Sequence, residues 1–505
     1  MQRIWTTAQV RAAEDAALAS TPAGVLMRRA AAGVALHARR LLLRAGGRVT
    51  GRRVTLLVGA GNNGGDALWA GSELRRRGAA VTAVLLDAGR AHPAGLAALR
   101  RTGGRVIDAA AEPALAKGRV RAADLVIDGI VGISARGPLR PAAAELVDAA
   151  QDGGIPILAV DLPSGVDPDT GVVDGPAVTA AATVTFGALK PVHVLAPHRC
   201  GPVHLVDIGL GPYLEAGDTG DTAAEPHLYL PELADVADRW PVPGPTDDKY
   251  TQGVTGVAAG SAVYPGAAVL ATGAAVLATS GMVRYAGPAA DVVRGRWPEA
   301  IAAPSVADTG RVQAWVVGPG IGTDAAGRTT LAAVLAQDVP TVVDADAITL
   351  LAAHPELRPP DRTAPLLCTP HDREFARLTG GKPGADRVAA ARTAAADLDA
   401  TVLLKGNVTI VAEPGGRALA HPYAEAWAAT AGSGDVLSGL LGALLAAGAD
   451  PWWAAGCAAW VHDMAASAAA SGAPAPASRL LDAVPAVIRA MRSARSQAAP
   501  PGRMR

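Results

Sequence analysis

Only three cysteines occur in the chain, Cys200, Cys368 and Cys457, far apart and without a C-x-x-C pair. That spacing argues against a disulfide framework and a structural zinc site, and it fits a reducing, cytoplasmic setting. Excess charge of either sign is missing too. Lys and Arg number 46, as do Asp and Glu, so no net field draws the chain to nucleic acid or to an anionic membrane. Small molecules are the partners this leaves, and assembly into a homo-oligomer is expected. The opening MQRIWTTAQVRAAEDAALAS has no apolar stretch after its basic residue, so a secretory signal is not expected. Nor is a membrane span: residues 254–283 carry no charge, but Pro265, several glycines and scattered Ser and Thr break them into strand, loop and buried helix. At 505 residues the chain exceeds one ordinary core, and two domains are expected, 1–225 and 226–495.

What is present is a repeated α/β pattern. Residues 8–43, rich in Ala, Leu and Arg and broken by Pro22-Ala23-Gly24, suggest two helices. Arg53-Val54-Thr55-Leu56-Leu57-Val58 reads as a strand. It ends in Gly59-Ala60-Gly61-Asn62-Asn63-Gly64-Gly65-Asp66, after which ALWAGSELRRRG reads as a helix closed by Gly78. Strand, glycine-rich turn and helix open a Rossmann-like unit, but the spacing is not G-x-G-x-x-G. Asparagine and aspartate side chains at such a turn suit a sugar, an amide or a monovalent cation better than a bare pyrophosphate. Further strands end in Asp128, followed by Gly132-Ile133-Ser134-Ala135-Arg136-Gly137-Pro138, and in Asp161-Leu162-Pro163-Ser164. Strands separated by helices give a parallel sheet whose ligands gather at its carboxyl ends. There Asn63, Asp128 and Ser164 could converge as oxygen ligands of one cation; taken singly, Asp128 or Ser164 reads as a turn or helix-cap residue. Residues 210–246, rich in Gly, Pro and Asp and without a sustained period, read as a linker or loose surface segment.

The second half repeats the pattern. Strands lead into Gly260-Ser261-Ala262-Val263-Tyr264-Pro265-Gly266-Ala267, Gly318-Pro319-Gly320, Asp344-Ala345-Asp346, Thr369-Pro370-His371-Asp372-Arg373-Glu374 and Lys405-Gly406-Asn407-Val408-Thr409. Lys405 can offer a point charge to a phosphate. The centre of this half is AWAATAGSGDVLSGLLGALLAAG, residues 426–448, where Gly432-Ser433-Gly434-Asp435 precedes leucines spaced as on a buried helix. Glycine amides at a helix start suit an anion, and a carboxylate beside them can take a hydroxyl proton as phosphoryl transfer begins. An ordinary capped helix, with Asp435 holding free N–H groups, is the plainer reading of the tetrapeptide alone.

VGAGNNGGDAL, VIDGIVGISARGPL and VDLPSGVD resemble, in order, the motifs of the NAD(P)H-hydrate epimerases, whose Rossmann-like domain interconverts the C6 epimers of hydrated nicotinamide cofactors. That resemblance covers about residues 1–225 and implies that Asn62, Asn63, Gly64, Gly65 and Asp66, together with Gly132 to Pro138, line the substrate. It further implies that Asp161 is the acid/base group and that Asn63, Asp128 and Ser164 hold potassium. GSAVYPGA, VVGPGIG, VDADAI, TPHDREFARL, LLKGNVTI and AGSGDVLSG resemble the motifs of the ADP- or ATP-dependent NAD(P)H-hydrate dehydratases, of the ribokinase-like superfamily, over about residues 226–495. Carried over, Ala267, Gly320, His371 and Asp435 contact the hydrated nicotinamide, with Asp435 as the base. Lys405, Gly406, Asn407, Val408, Thr409 and Gly434 hold the nucleotide, which brings Mg²⁺ with it. The chain departs from the usual family patterns at Arg28, Ser134, Ala431 and Ser433, and at Asp372-Arg373 between His371 and Glu374. The implied fold is two three-layer α/β domains, Rossmann-like then ribokinase-like, and the implied function is repair of hydrated NADH and NADPH. Two other readings stay open: a ribokinase-like kinase whose product keeps its phosphate, and a non-catalytic nucleotide sensor.

Overall fold

The protein, described by a computed structural model covering residues 1–134, 136–216, 225–279 and 281–498, divides into two compact units. One is Arg3–Leu228; the other is Tyr229–Arg505 together with Met1–Gln2. Strands are numbered in chain order: β1 (Gln2–Ile4), β2 (Arg53–Val58), β3 (Ala80–Leu85), β4 (Arg105–Asp108), β5 (Leu125–Gly129), β6 (Ile157–Val160), β7 (Ala182–Phe186) and β8 (Val203–Val206). In the first unit β2–β8 form a seven-stranded sheet in the order β4-β3-β2-β5-β6-β7-β8, every pair parallel. Helices cover both faces of such a sheet, so its strands read as unbroken apolar runs, and five consecutive residues of β2, Val54–Val58, are buried accordingly. Strand order reverses between β2 and β5, the place where an open α/β sheet leaves a crevice for ligands.

Helices Thr7–Ser20 and Val25–Gly46 stand where the Pro22-Ala23-Gly24 break put them. The helix after β2 starts earlier than its composition suggests, at Asn62. Asn62 to Asp66 are therefore its first turn and not a loop before it. Two asparagines and two glycines are poor helix formers, and tertiary bonds of Asn63, described below, outweigh that weakness.

In the second unit the strands are β9 (Leu228–Leu230), β10 (Val254–Ala258), β11 (Met282–Ala286), β12 (Ile301–Ala303), β13 (Ala314–Val317), β14 (Thr341–Val343), β15 (Leu366–Cys368), β16 (Thr401–Leu404), β17 (Val408–Ala412) and β18 (Ala418–Pro422). Their sheet has eleven strands, ordered β1-β9-β18-β17-β16-β15-β14-β13-β10-β11-β12. It is parallel from β16 to β12, while β17 pairs antiparallel with both β16 and β18. The carboxyl ends of β10, β13, β14, β15 and β16 thus lie along one edge and deliver the five polar turns there.

Behind that edge helix Ser433–Ala446 is buried at every residue from Val436 to Ala446, as a helix apolar all round must be. It packs on helix Pro265–Ala278 so closely that a Cβ on Gly439 would fall 2.2 Å from the Ala271 carbonyl oxygen. Residues 254–283 resolve into β10, helix Pro265–Ala278 and β11, and among the described residues no helix is long and apolar enough to cross a membrane. The stretch read as a linker is more ordered than expected from Leu228 onward. β9 pairs with β18, and Val236, Ala237 and Trp240 of the following segment enter the core. Four apolar anchors in thirteen residues are too few to show a period.

Candidate active sites

In the first unit the reversal point holds three bonded loops. Asn63 donates through Nδ2 to the carbonyls of Val131 (2.9 Å) and Val160 (2.8 Å), tying the helix start to the turns after β5 and β6. Gly132 lies against this amide: a Cβ there would sit 2.5 Å from Asn63 Oδ1. Asp128 is fully buried. Its Oδ1 accepts from Ser164 Oγ (2.7 Å) and the Ile130 amide (3.2 Å), and its Oδ2 accepts from the Ser164 amide (2.9 Å). Burial pushes its carboxyl up to about 6, against the pull of the Ser164 and Ile130 bonds. Ser164 Oγ also accepts from the Val131 amide at 3.2 Å, so Asn63, Asp128 and Ser164 do converge, around Val131.

Asp161 follows β6 with φ +69°, a left-handed backbone that costs a non-glycine residue free energy. The strain is held from several sides. The Asp161 amide donates to Val184 O at 2.7 Å, and His193 Nε2 bonds the Asp161 carbonyl at 2.8 Å. His193 Nδ1 accepts from the Lys190 amide at 3.0 Å, which assigns the ring proton to Nε2. Burial first, then the Lys190 charge, hold this imidazole near 4 and so neutral. The Asp161 Oδ1 takes Lys190 Nζ at 2.6 Å and Thr185 Oγ1 at 2.9 Å, and both charged side chains are buried.

Asp66 and Glu14 complete this centre. Burial, reinforced by the negative charges of Asp161 and Glu14, raises the Asp66 carboxyl well above its usual range, and its Oδ1 is buried without a hydrogen-bond partner. Burial likewise raises Glu14, with Lys190 opposing. On the loop after β5, Ile133 packs on the cluster of Leu162 and Val166, Ser134 accepts from Arg11, and Arg136 is anchored to Asp169 at 2.7 Å. A Cβ on Gly175 would meet Pro138 at 2.9 Å; Gly137 turns with φ +82°. Ala135 lies outside the described residues.

In the second unit Asp435 is the third residue of helix Ser433–Ala446, after an N-cap Gly432 with φ +87°. Burial first, then Asp344 and Asp346, push its carboxyl up to about 7, while Lys405 opposes them. Lys405 Nζ lies 2.7 Å from Asp344 Oδ1 and 3.6 Å from Glu374 Oε2; burial lowers its pKa, but those two carboxylates and Asp435 outweigh it, and the net shift is upward. The ammonium rests against the start of helix Ser433–Ala446, 3.9 Å from where a Cβ on Gly434 would be. Asp344 also accepts from Thr369 Oγ1 and Ser438 Oγ, both at 2.7 Å.

Gly320, with φ +65°, would place a Cβ 3.0 Å from the Cβ atoms of both Ala267 and Tyr264, so Ala267 and Gly320 meet directly. His371 caps helix Asp372–Thr379, its Nδ1 accepting from the amides of Arg373 and Glu374 while its own amide donates to Glu374. Its Nε2 stands 3.5 Å from Glu374 Oε1. Gly406 and Asn407 form an exposed turn, whereas Val408 and Thr409 are buried in β17, paired with Pro422 and His421.

Sequence reasoning passed over Glu14, Thr185, Lys190 and His193 in the first centre, and gave no role to Asp344, Thr369, Glu374 or Ser438 in the second. Only the buried Lys190, in the run Ala188-Leu189-Lys190-Pro191, carried a signal of its own: a lone cation among apolar neighbours wants a buried anion.

Two α/β units, each presenting a strained or buried carboxylate at the carboxyl ends of its strands beside a lysine, define a two-centre enzyme acting on small molecules. Residues 23–192 match the family described as YjeF-related protein N-terminus, and residues 255–486 match NAD(P)H-hydrate dehydratase. The bifunctional NAD(P)H-hydrate repair enzyme Nnr of Mycobacterium tuberculosis H37Rv is 57% identical over 448 residues, 89% of this chain and 90% of that one. The Mycobacterium leprae protein of the same name is 54% identical over 497 residues, 97% of this chain and 100% of that one. The chain belongs to this family of bifunctional NAD(P)H-hydrate repair enzymes. Among solved structures, the ADP/ATP-dependent NAD(P)H-hydrate dehydratase of Bacillus subtilis, co-crystallised with ATP/Mg²⁺, aligns with 52% of this chain and 99% of its own at 27% identity and a TM-score of 0.48.

Proposed function

We propose that the chain repairs hydrated NADH and NADPH in two steps: residues 1–225 interconvert the R and S hydrates, and residues 226–495 dehydrate the S hydrate at the expense of ADP or ATP. The observation that carries the second step is Asp435, at the first turn of helix Ser433–Ala446 with its carboxyl near 7. A base poised near the working pH is the one best able to accept a proton. Asp435 takes the proton of the C6 hydroxyl, whose oxygen attacks the terminal phosphoryl group of the nucleotide, and the shortened nucleotide leaves. The amides of Gly432 to Gly434 and the Lys405 ammonium steady the charge in transfer. Electron density from the ring nitrogen then expels phosphate, a far better leaving group than hydroxide, and loss of a C5 proton restores the dihydropyridine. Mg²⁺ enters with the nucleotide as the counter-ion of its phosphates.

At the first centre Asp161 is the acid/base group, aimed by Lys190, Thr185 and the neutral His193. Asp66, buried with one free oxygen, carries a proton to or from the substrate. Asn63, Asp128 and Ser164 would hold potassium: Asp128 is a fully buried carboxylate that among the described residues is held by hydrogen bonds from Ser164 and Ile130 and by no ion pair, an anion whose burial a cation would relieve. Bound there, potassium would supply positive charge beneath the substrate loops. The nicotinamide hydrate meets Ala267, Gly320, His371 and Asp435, and the exposed Gly406-Asn407 turn lies toward the nucleotide.

The deciding assay supplies the full chain with hydrated NADH, ADP and Mg²⁺. Restored nicotinamide absorbance with one free phosphate per molecule repaired is expected. A phosphorylated product that persists would make the chain a kinase instead, and no turnover would make it a sensor.

A further inference from the structure

The first turn of the catalytic helix and the lysine beside it are joined by a group that takes no part in the chemistry above. Asp344, 2% exposed at the end of β14, gives both carboxylate oxygens to three different elements. Oδ1 receives Lys405 Nζ and Thr369 Oγ1, from the ends of β16 and β15; Oδ2 receives Ser438 Oγ, one helical turn beyond Asp435. Each distance is 2.7 Å, short as charge-assisted bonds are. The next residue, Ala345, has φ +49°, so the turn that presents the carboxylate is itself strained.

We propose that Asp344 is a positioning residue of the dehydratase centre, clamping Lys405 against the first turn of helix Ser433–Ala446 and balancing its charge there so that Asp435 stays a base suited to neutral pH. The inference rests on the dehydratase reading and adds to it a buried residue that the chemistry above does not use. Three groups act on Asp435: Asp344 and Asp346 raise its carboxyl and Lys405 lowers it. Lys405 in turn faces Asp344, Glu374 and Asp435. Removing the Asp344 charge takes away one raising group and leaves the lowering one less compensated, so both changes act on Asp435 in the same direction. The Asp344 hydrogen bonds act separately, on where Lys405 and the helix stand.

Asp344→Asn separates the two roles. The amide oxygen can still accept from Lys405 and Thr369, and the amide nitrogen can donate to Ser438 Oγ, so the shape of the joint is retained. The acid limb of the dehydration rate against pH, expected near 7 in the natural chain, should move down by about one unit or more, and KM for ADP should rise as Lys405 loses its ion pair and keeps only a neutral hydrogen bond. Ser438→Ala removes one hydrogen bond and no charge, so it should lower kcat roughly three- to tenfold and leave the limb in place. A residue that merely supports the fold would lower activity in both variants with the limb unmoved in both, and that result overturns the inference. Should Asp344→Asn fail to fold, Ser438→Ala decides alone: an unchanged kcat overturns the clamp. A natural chain that does not dehydrate hydrated NADH defeats the function proposed above, whereas a working natural chain whose Asp344→Asn limb stays put defeats only this inference.

Discussion

Asp435→Asn keeps the size and hydrogen-bonding reach of the side chain and removes its ability to accept a proton. Dehydration should fall by about a hundred- to ten-thousand-fold, the usual loss for a general base, followed as restored nicotinamide absorbance. Stability should move the other way. A carboxyl near 7 in the folded chain and near its ordinary value in the unfolded chain binds more protons when folded between those pH values, so stability declines as pH rises through that window. Above about pH 7 the whole penalty is present, and Asn removes it. Thermal unfolding at pH 8 should therefore occur at a higher temperature in the variant, and an unchanged or lowered Tm would show that Asp435 is not strained by burial. Lys190→Gln tests the other centre. It leaves Asp161 a buried, unpaired carboxylate, which typically costs about 3–5 kcal/mol, so chemical denaturation should show that loss along with loss of epimerisation. A variant of natural stability would mean that the 2.6 Å pair does not hold the centre. Asp128→Ala should weaken epimerisation and its response to potassium; equal rates with potassium and with a bulky organic cation would remove the cation from the mechanism.

Helices and strands were legible to the extent that their signals were local. The apolar runs of β2, β5, β13, β14 and β16 and the small-residue helix after Gly432 stand where their patterns place them, because burial on both sheet faces demands such runs. What escaped notice depends on partners far along the chain. Lys190 meets Asp161 across 29 residues, Lys405 meets Asp344 across 61, and Ser438 meets Asp344 across 94; no spacing rule reaches so far. The helix start at Asn62 was misplaced for the same reason, since the bonds of Asn63 to Val131 and Val160 span 68 and 97 residues. Packing of the catalytic helix gives a sharp test at this scale. At Gly439 an added Cβ would lie 2.2 Å from the Ala271 backbone oxygen and 2.6 Å from the Ala274 Cβ, contacts that backbone cannot yield cheaply. Gly439→Val should separate the two helices and cost about 1–3 kcal/mol, as overpacking does. Gly448→Ala, at a position with open space but φ +85°, should cost less and leave dehydration intact. Similar losses for both would show that the Gly439 contact is not what limits packing.

At the scale of the molecule, two sheets with different strand orders each end in a carboxylate centre, and the two centres accept the same class of compound. The dehydratase reading admits one C6 epimer, so hydrate formed as the other epimer must first pass through the first centre. The chain carries no net charge to retain an anionic intermediate near its surface, and the passage is expected to run through solution. Two full-length variants test this. Asp161→Asn should dehydrate one epimer from a mixture and then stop at the rate of spontaneous interconversion, leaving the remainder. Asp435→Asn should keep the epimers equilibrating and restore no nicotinamide absorbance. Mixed in equal amounts, the two proteins should together consume the whole mixture, at a rate that rises with the concentration of either until the other limits. Complete consumption by Asp161→Asn alone, at the natural rate, would remove the acid/base role from Asp161. Two active halves that fail to complement when mixed would show instead that the hydrate is handed over within one chain.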